Sequence, residues 1–228
     1  MEQFISTRIP PLTPERAEQL FTILRDLVQE CIATGRLEQV LAPTTILNAS
    51  RLLLVPEQAS AVTYAVIGMV LWLRSNHLPS STADFHAAFC LFTHAYKRDP
   101  RLVPEPLRTT FAERPPGVEP ISEVWHSVAV TLVEEFRRDG GGLLLDAAIL
   151  LIEAARRAAP LDDPSRAVMQ YNLGSTLETR FDLTKDLGDL DAGITALRSA
   201  DMVLSHSLDD CSQLRTRRVL LKNHEGQH

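Results

Sequence analysis

The sequence predicts an all-α protein built from repeated pairs of helices. Glycine is sparse, at 10 of 228 residues, and long stretches are rich in Ala, Leu, Glu and Arg. Apolar residues recur at the three- and four-residue spacing of helices rather than in the alternation typical of strands. The segment from Ile121 to Leu204 contains the same helical hairpin twice, 45 residues apart and without a gap.

The internal repeat is carried by apolar and small residues. A 45-residue shift superimposes Thr131 on Thr176, Leu132 on Leu177, Phe136 on Phe181, Leu145 on Leu190, Asp146 on Asp191, Ala147 on Ala192, Ile149 on Ile194 and Ala155 on Ala200. A repeat of this length indicates stacked helix pairs that share one core. An earlier pair fits the same pattern, with Gly68 on Gly174 and, after a slip of one residue, Asp84 on Asp191.

Residues 1–55 are expected to hold the N-terminal helices. Thr13 and Pro14 form a helix start, because the hydroxyl caps a free amide and proline needs no donor at the first position. Apolar residues at helical spacing then predict a helix over 14–34, which ends at Gly35. Pro43 opens a shorter helix that runs through Val55.

The first repeat pair is predicted over 56–97, followed by a Pro-rich insertion over 98–120. Pro56 and Glu57 begin a helix that reaches about Asn76, and Ser81 with Asp84 forms a capping pattern before the next helix. Six of the 14 prolines fall between 100 and 120, which leaves at most a short helix near 107–112.

Two further repeat pairs are predicted over 121–206. Their helices are expected near 121–138, 143–159, 164–182 and 189–206. A last helix near 208–222 and a tail would complete residues 207–228. We expect all of these elements to form one domain over 1–228.

Charge, cysteine count and the lengths of uncharged runs exclude some classes of protein. The formal net charge of −6 argues against a protein that coats nucleic acid, because phosphate neutralisation needs a basic face. The three cysteines are widely spaced and odd in number, which favours free thiols and a cytoplasmic location. The longest uncharged run, from Gln58 to Leu73, is shorter than the roughly 20 residues that cross a bilayer, so we expect no membrane span.

The third pair resembles a known repeat. Its first helix carries Tyr171-Asn172-Leu173-Gly174 followed by Leu177, and its second carries Asp191-Ala192 with Ile194, Leu197 and Ala200. This pattern resembles a tetratricopeptide repeat of the lengthened kind found in actinobacterial arrays, with the extra residues at 182–188. The resemblance extends with fewer matches to 120–160 and 56–97. It implies a right-handed helical-repeat solenoid of about ten helices.

The resemblance also implies protein or peptide binding on a concave face formed by the first helix of each pair. Family members that grip a C-terminal carboxylate use Lys and Arg there, and these are missing from this chain. The projected surface runs from apolar to mildly acidic, which suits an apolar helix, a basic or neutral peptide, or a hydrophobic small molecule. Its residues are Ala65, Met69, Trp72, Glu123, His126, Val130, Val133, Tyr171, Asn172, Ser175 and Glu178.

Two other functions stay open beside the interaction module. Glu123 lies three residues before His126 on one helix face, and the repeat brings Tyr171 near, so these three could form a small-molecule or catalytic acid–base site. An ordinary polar lining of the groove is the simpler interpretation. A third hypothesis is self-association, because an open stack leaves apolar surface at its ends for a second copy.

The sequence gives no support for a metal site or a cofactor. His86, Cys90 and His94 are spaced by four residues, but three such positions span about 12 Å along a helix. That distance is too long for one zinc ion with bonds of roughly 2 Å. We expect Cys90 to be a buried packing residue, and Trp72 and Trp125 to pack between helices.

Overall fold

A computed structural model describes residues 10, 12–55, 60–78, 82–113 and 120–201 of the chain. Within these residues the regular structure is helical and no strand occurs, which confirms the all-α prediction. The helix predicted near 208–222 and the tail to 228 lie outside the described residues. No described helix is long and apolar enough to span a bilayer.

The first helix, α1 (Pro14–Thr34), has the predicted bounds because both of its ends are fixed locally. The Thr13 hydroxyl accepts a hydrogen bond from the Arg16 amide, and Gly35 closes the helix with φ 72° while its amide donates to the Cys31 carbonyl. A short helix α2 (Glu38–Leu41) follows, which the sequence did not predict. Next comes α3 (Pro43–Leu53), which ends two residues before the predicted Val55.

The first predicted pair is present as α4 (Ala61–His77) and α5 (Thr82–Arg98), which pack against each other. The predicted helix start at Pro56 and Glu57 and the predicted cap residue Ser81 lie outside the described residues. The predicted capping contact between Ser81 and Asp84 therefore also lies outside the described residues. The Asp84 carboxylate is buried and accepts a hydrogen bond from the Arg74 side chain.

The proline-rich segment is part of the packed structure. It contains a 3-10 turn (Pro100–Leu102) and α6 (Glu105–Glu113), somewhat longer than the predicted helix near 107–112. Phe111 of α6 is fully buried, and its ring meets Phe89 and Tyr96 of α5 edge to face, with centroids 4.8 and 5.4 Å apart. The segment therefore covers α5.

The two later pairs are α7 (Ile121–Asp139) with α8 (Gly142–Ala158), and α9 (Ser165–Thr184) with α10, whose described part covers 187–201. The helices of the last pair cross closely at Gly174. A Cβ placed there would lie 2.6 Å from Leu197 Cγ and 3.0 Å from the Gly193 carbonyl oxygen. Only glycine fits this crossing without displacing its neighbours.

Neighbouring pairs contact each other through α5 with α7 and α8 with α9. One contact departs from simple stacking, because α3 packs against α8, about a hundred residues further along the chain. Helix α8 is thereby surrounded by α3, α7 and α9, and most of its side chains are buried. The helices pack in adjacent pairs, with the N-terminal part folded onto the second pair.

Candidate functional site

The first helices of the second and third pairs meet at a polar contact. The Asn172 side-chain amide on α9 lies 2.7 Å from Nε2 of His126 on α7. An amide NH2 group cannot accept a hydrogen bond, because its nitrogen lone pair is delocalised into the carbonyl group. The Asn172 amide therefore donates and Nε2 accepts. Burial lowers the pKa of His126, which keeps the imidazole neutral and suited to this role.

A pocket of about 120 Å³ lies beside this contact. Apolar side chains of Val130, Val133 and Ile152 provide one part of its lining, and polar groups of α9 provide another. Two of the α9 hydroxyls are already engaged, because Thr176 donates to the Asn172 carbonyl and Thr179 donates to the Ser175 carbonyl. The lining residues are Val130, Val133, Glu134, Arg137, Ile152, Asn172, Ser175, Thr176 and Thr179.

Glu134 and Arg137 place one negative and one positive side chain at this pocket. Both are exposed, and neither forms an ion pair within the described part of the chain. They can therefore pair with a ligand without first breaking an internal salt bridge. The pocket thus combines a mixed apolar and hydroxyl lining with exposed charged side chains of both signs.

The structure brings together part of the predicted surface. Val130, Val133, Asn172 and Ser175 line the pocket, and His126 adjoins it through Asn172. Glu123, Glu178 and Tyr171 are exposed on the same two helices but do not line it. Within the described residues the hydrogen bond of His126 goes to Asn172, and no hydrogen bond joins it to Glu123 or Tyr171.

The residues predicted on α4 lie elsewhere. The Trp72 ring packs against Phe85 and Phe92 of α5, with centroids 5.6 and 6.1 Å apart. Met69 is half-buried and packs on the main core, as does Ala65, which is buried. None of these three lines the pocket between α7 and α9.

Glu134, Arg137 and Thr179 of the pocket lining were not predicted from the sequence. A helical signal was available, since Glu134 follows Val130 by four residues and Thr179 follows Ser175 by four. Extending the predicted face of each helix by one turn finds them.

The sequence analysis also missed two buried arginines that join the pairs. Arg74 on α4 bonds through Nε to Asp84 on α5 at 3.0 Å, and through Nη2 to Glu135 on α7 at 3.0 Å. The side chains of all three are almost completely removed from solvent. Burial raises the pKa of Asp84 to about 6; Arg74 opposes this shift, and the Glu135 carboxylate adds to it.

Arg180 on α9 occupies the matching place in the third pair. It binds Asp189 at the start of α10 through two hydrogen bonds and Asp146 on α8 through one of 2.7 Å. Burial works against the charged form of Arg180, but hydrogen bonds with Asp189 and Asp146 bring its pKa above the ordinary value. The second pair therefore supplies one carboxylate to each arginine. Glu135 binds Arg74, and Asp146 binds Arg180.

A sequence signal for these clusters existed. The 106-residue shift that superimposes Gly68 on Gly174 also superimposes Arg74 on Arg180. An arginine recurring among core positions indicates a buried partner, and Asp84 and Asp189 each stand near the start of the following helix.

The cysteine and metal candidates give no further site among the described residues. Cys90 is buried, as expected for a packing residue, Cys31 is buried too, and neither forms a disulfide. Among the residues described, no group of three or more His, Cys, Asp or Glu side chains could hold a metal ion. Comparison of the chain with protein-family models, curated proteins and solved structures finds no match.

Proposed function

We propose that the chain is an interaction module that binds a protein or peptide segment on the surface between α7 and α9. The pocket between these helices takes one aliphatic side chain of the partner. The size of the pocket carries this proposal. At about 120 Å³ it is smaller than an apolar cavity of about 150 Å³ that holds one benzene molecule.

The same size argues against a site for a whole organic molecule. Such sites usually measure about 300–1,000 Å³ and enclose most of the ligand. A peptide needs less, because a single anchored side chain can fix its position while the rest of the segment stays on the surface. Glu134 and Arg137 at the edge favour a partner with charged residues of both signs beside the aliphatic one.

The wider architecture that we propose is a right-handed tetratricopeptide-like solenoid whose concave side includes α7 and α9. The internal repeat and the contacts between neighbouring pairs support it. A cytoplasmic setting is part of the same proposal, supported by the odd number of cysteines and by Cys31 and Cys90, which are buried and form no disulfide.

A peptide selection tests the proposal. Peptides are selected from a random library on the immobilised full-length chain, and the affinity of the best binders is then measured by fluorescence anisotropy. We expect them to contain an aliphatic residue flanked by charges. Ser175→Leu extends a side chain into the pocket and should weaken binding at least about tenfold, the effect of losing one buried aliphatic anchor.

Thr109→Leu on α6 is the matched control, since it adds a similar side chain at an exposed position outside the pocket. It should leave affinity unchanged. Binding that survives Ser175→Leu, or that both variants weaken equally, would show that the pocket is not the site.

A further inference from the structure

The end of the third helix pair exposes three residues whose equivalents in the second pair are buried or contact α9. The 45-residue repeat shows the correspondence. On α8, Ile149 is fully buried and Asp146 pairs with Arg180 of α9. Their equivalents on α10 are Ile194, which is 39% exposed, and Asp191, which is also exposed.

Two other exposed residues adjoin Asp191 and Ile194 on α10. Leu187, Asp191, Ile194 and Arg198 are spaced by four, three and four residues, so they lie on one face of the helix. All four are exposed, and Leu187 is 68% exposed. Within the described chain neither Asp191 nor Arg198 has an ion-pair partner.

The first helix of the pair extends the correspondence. Tyr171 on α9 is the equivalent of His126 on α7, and His126 contacts α9 through Asn172. Tyr171 is 56% exposed. Among the described residues, both helices of the third pair thus expose positions equivalent to those that contact α9 in the second pair.

We propose that this end surface, formed by Tyr171, Asp191 and Ile194 and flanked by Leu187 and Arg198, binds an arginine-bearing α-helix of a partner molecule. The known α8–α9 contact defines the chemistry. Its helices run antiparallel, because Arg180 near the end of α9 reaches Asp146 near the start of α8, and Arg166 donates to the Arg156 carbonyl at the other end. The partner helix runs antiparallel to α10, places its arginine on Asp191 and covers Ile194.

The probe is a fluorescent peptide with the sequence of α9, Ser165–Thr184, the helix that fits the equivalent surface of α8. Its binding to the full-length chain is followed by anisotropy. Binding should be saturable, and Asp191→Asn should weaken it at least about tenfold, as expected for losing a charge-assisted hydrogen bond. A peptide carrying Arg180→Gln should show the same loss, with no additional loss when both changes are combined.

Two controls separate this surface from the others. Asp26→Asn on α1 makes the same change of charge at an exposed position far along the chain and should have no effect. Ser175→Leu closes the pocket between α7 and α9 and should also leave this binding intact, so the two proposals fail independently. Absence of saturable binding, or equal losses with Asp191→Asn and Asp26→Asn, would overturn the end-surface proposal.

Discussion

Gly174 sets the distance between α9 and α10. Its place in the repeat was visible in the sequence, because Gly68 and Ala129 occupy the equivalent positions and a close crossing excludes larger side chains. The atoms nearest to an added Cβ belong to Leu197 and to the Gly193 backbone. The Gly193 carbonyl oxygen belongs to the backbone, so it cannot move away from the added Cβ by a change of rotamer.

Gly174→Ala should therefore destabilise the chain although alanine favours helices. Overpacking of this kind costs about 1–3 kcal/mol, and we expect the thermal midpoint to fall by several degrees. Gly142→Ala is the control, because Gly142 lies in α8 with no atom within 4 Å of the added Cβ. Both thermal midpoints are measured by circular dichroism. Equal midpoints for the two variants would contradict the close crossing.

Asp84 should make the stability of the chain depend on pH. Its folded-state pKa is raised from 3.8 to about 6, mainly by burial, so folding favours its protonated form. This contribution is fully present below about pH 4 and is lost as the pH rises through about 6. The difference in pKa corresponds to roughly 3 kcal/mol.

Asp84→Asn removes the titrating group while Arg74 keeps its bonds to Glu135. The wild-type free energy of unfolding, minus that of the variant, should fall by roughly 3 kcal/mol between pH 4 and pH 7.5 in urea titrations. Asp189→Asn, in the equivalent cluster, should destabilise the chain but keep the Asp84 dependence on pH. If the wild-type free energy of unfolding minus that of Asp84→Asn rises with pH instead, the raised pKa assigned to Asp84 is wrong.

The positions of the helices could be predicted from local sequence, but the contacts between helices could not. The bounds of α1 could be predicted because Thr13, Pro14 and Gly35 determine the backbone at its ends. The bonds of Arg74 and Arg180 could not be found in the same way, since each arginine meets carboxylates from two other helices. Such contacts depend on how the helices pack.

Arg180 is expected to be essential for joining α8, α9 and α10. Arg180→Met keeps most of the volume but leaves the buried carboxylate of Asp189 without its cation. Breaking a buried ion pair in this way costs about 3–5 kcal/mol, which should show in chemical denaturation. Arg101→Met removes an 85% exposed arginine from a similar bidentate contact with Asp99 and should change stability little. A small loss of stability in Arg180→Met would mean that the Asp189 carboxylate can stay buried without this arginine.

At the scale of the whole molecule, the sequence predicted an all-helical chain with three helix pairs, and the structure has them. It did not predict that α3 packs against α8, because this contact has no counterpart within the repeat. The candidate site was predicted in part for a similar reason. The α7 and α9 positions came from the repeat itself, whereas Met69 and Trp72 were projected from the first pair, whose side chains pack differently.

Binding of a partner side chain between α7 and α9 is the central claim, and methyl NMR of the full-length chain tests it most directly. A selected peptide is titrated into protein with labelled Ile and Val methyl groups. We expect the largest shifts at Val130, Val133 and Ile152, which line the pocket, and none at Ile23 and Ile32, which are exposed on α1. Shifts confined to α1, or spread over methyl groups outside the pocket while these three stay unchanged, would contradict the claim.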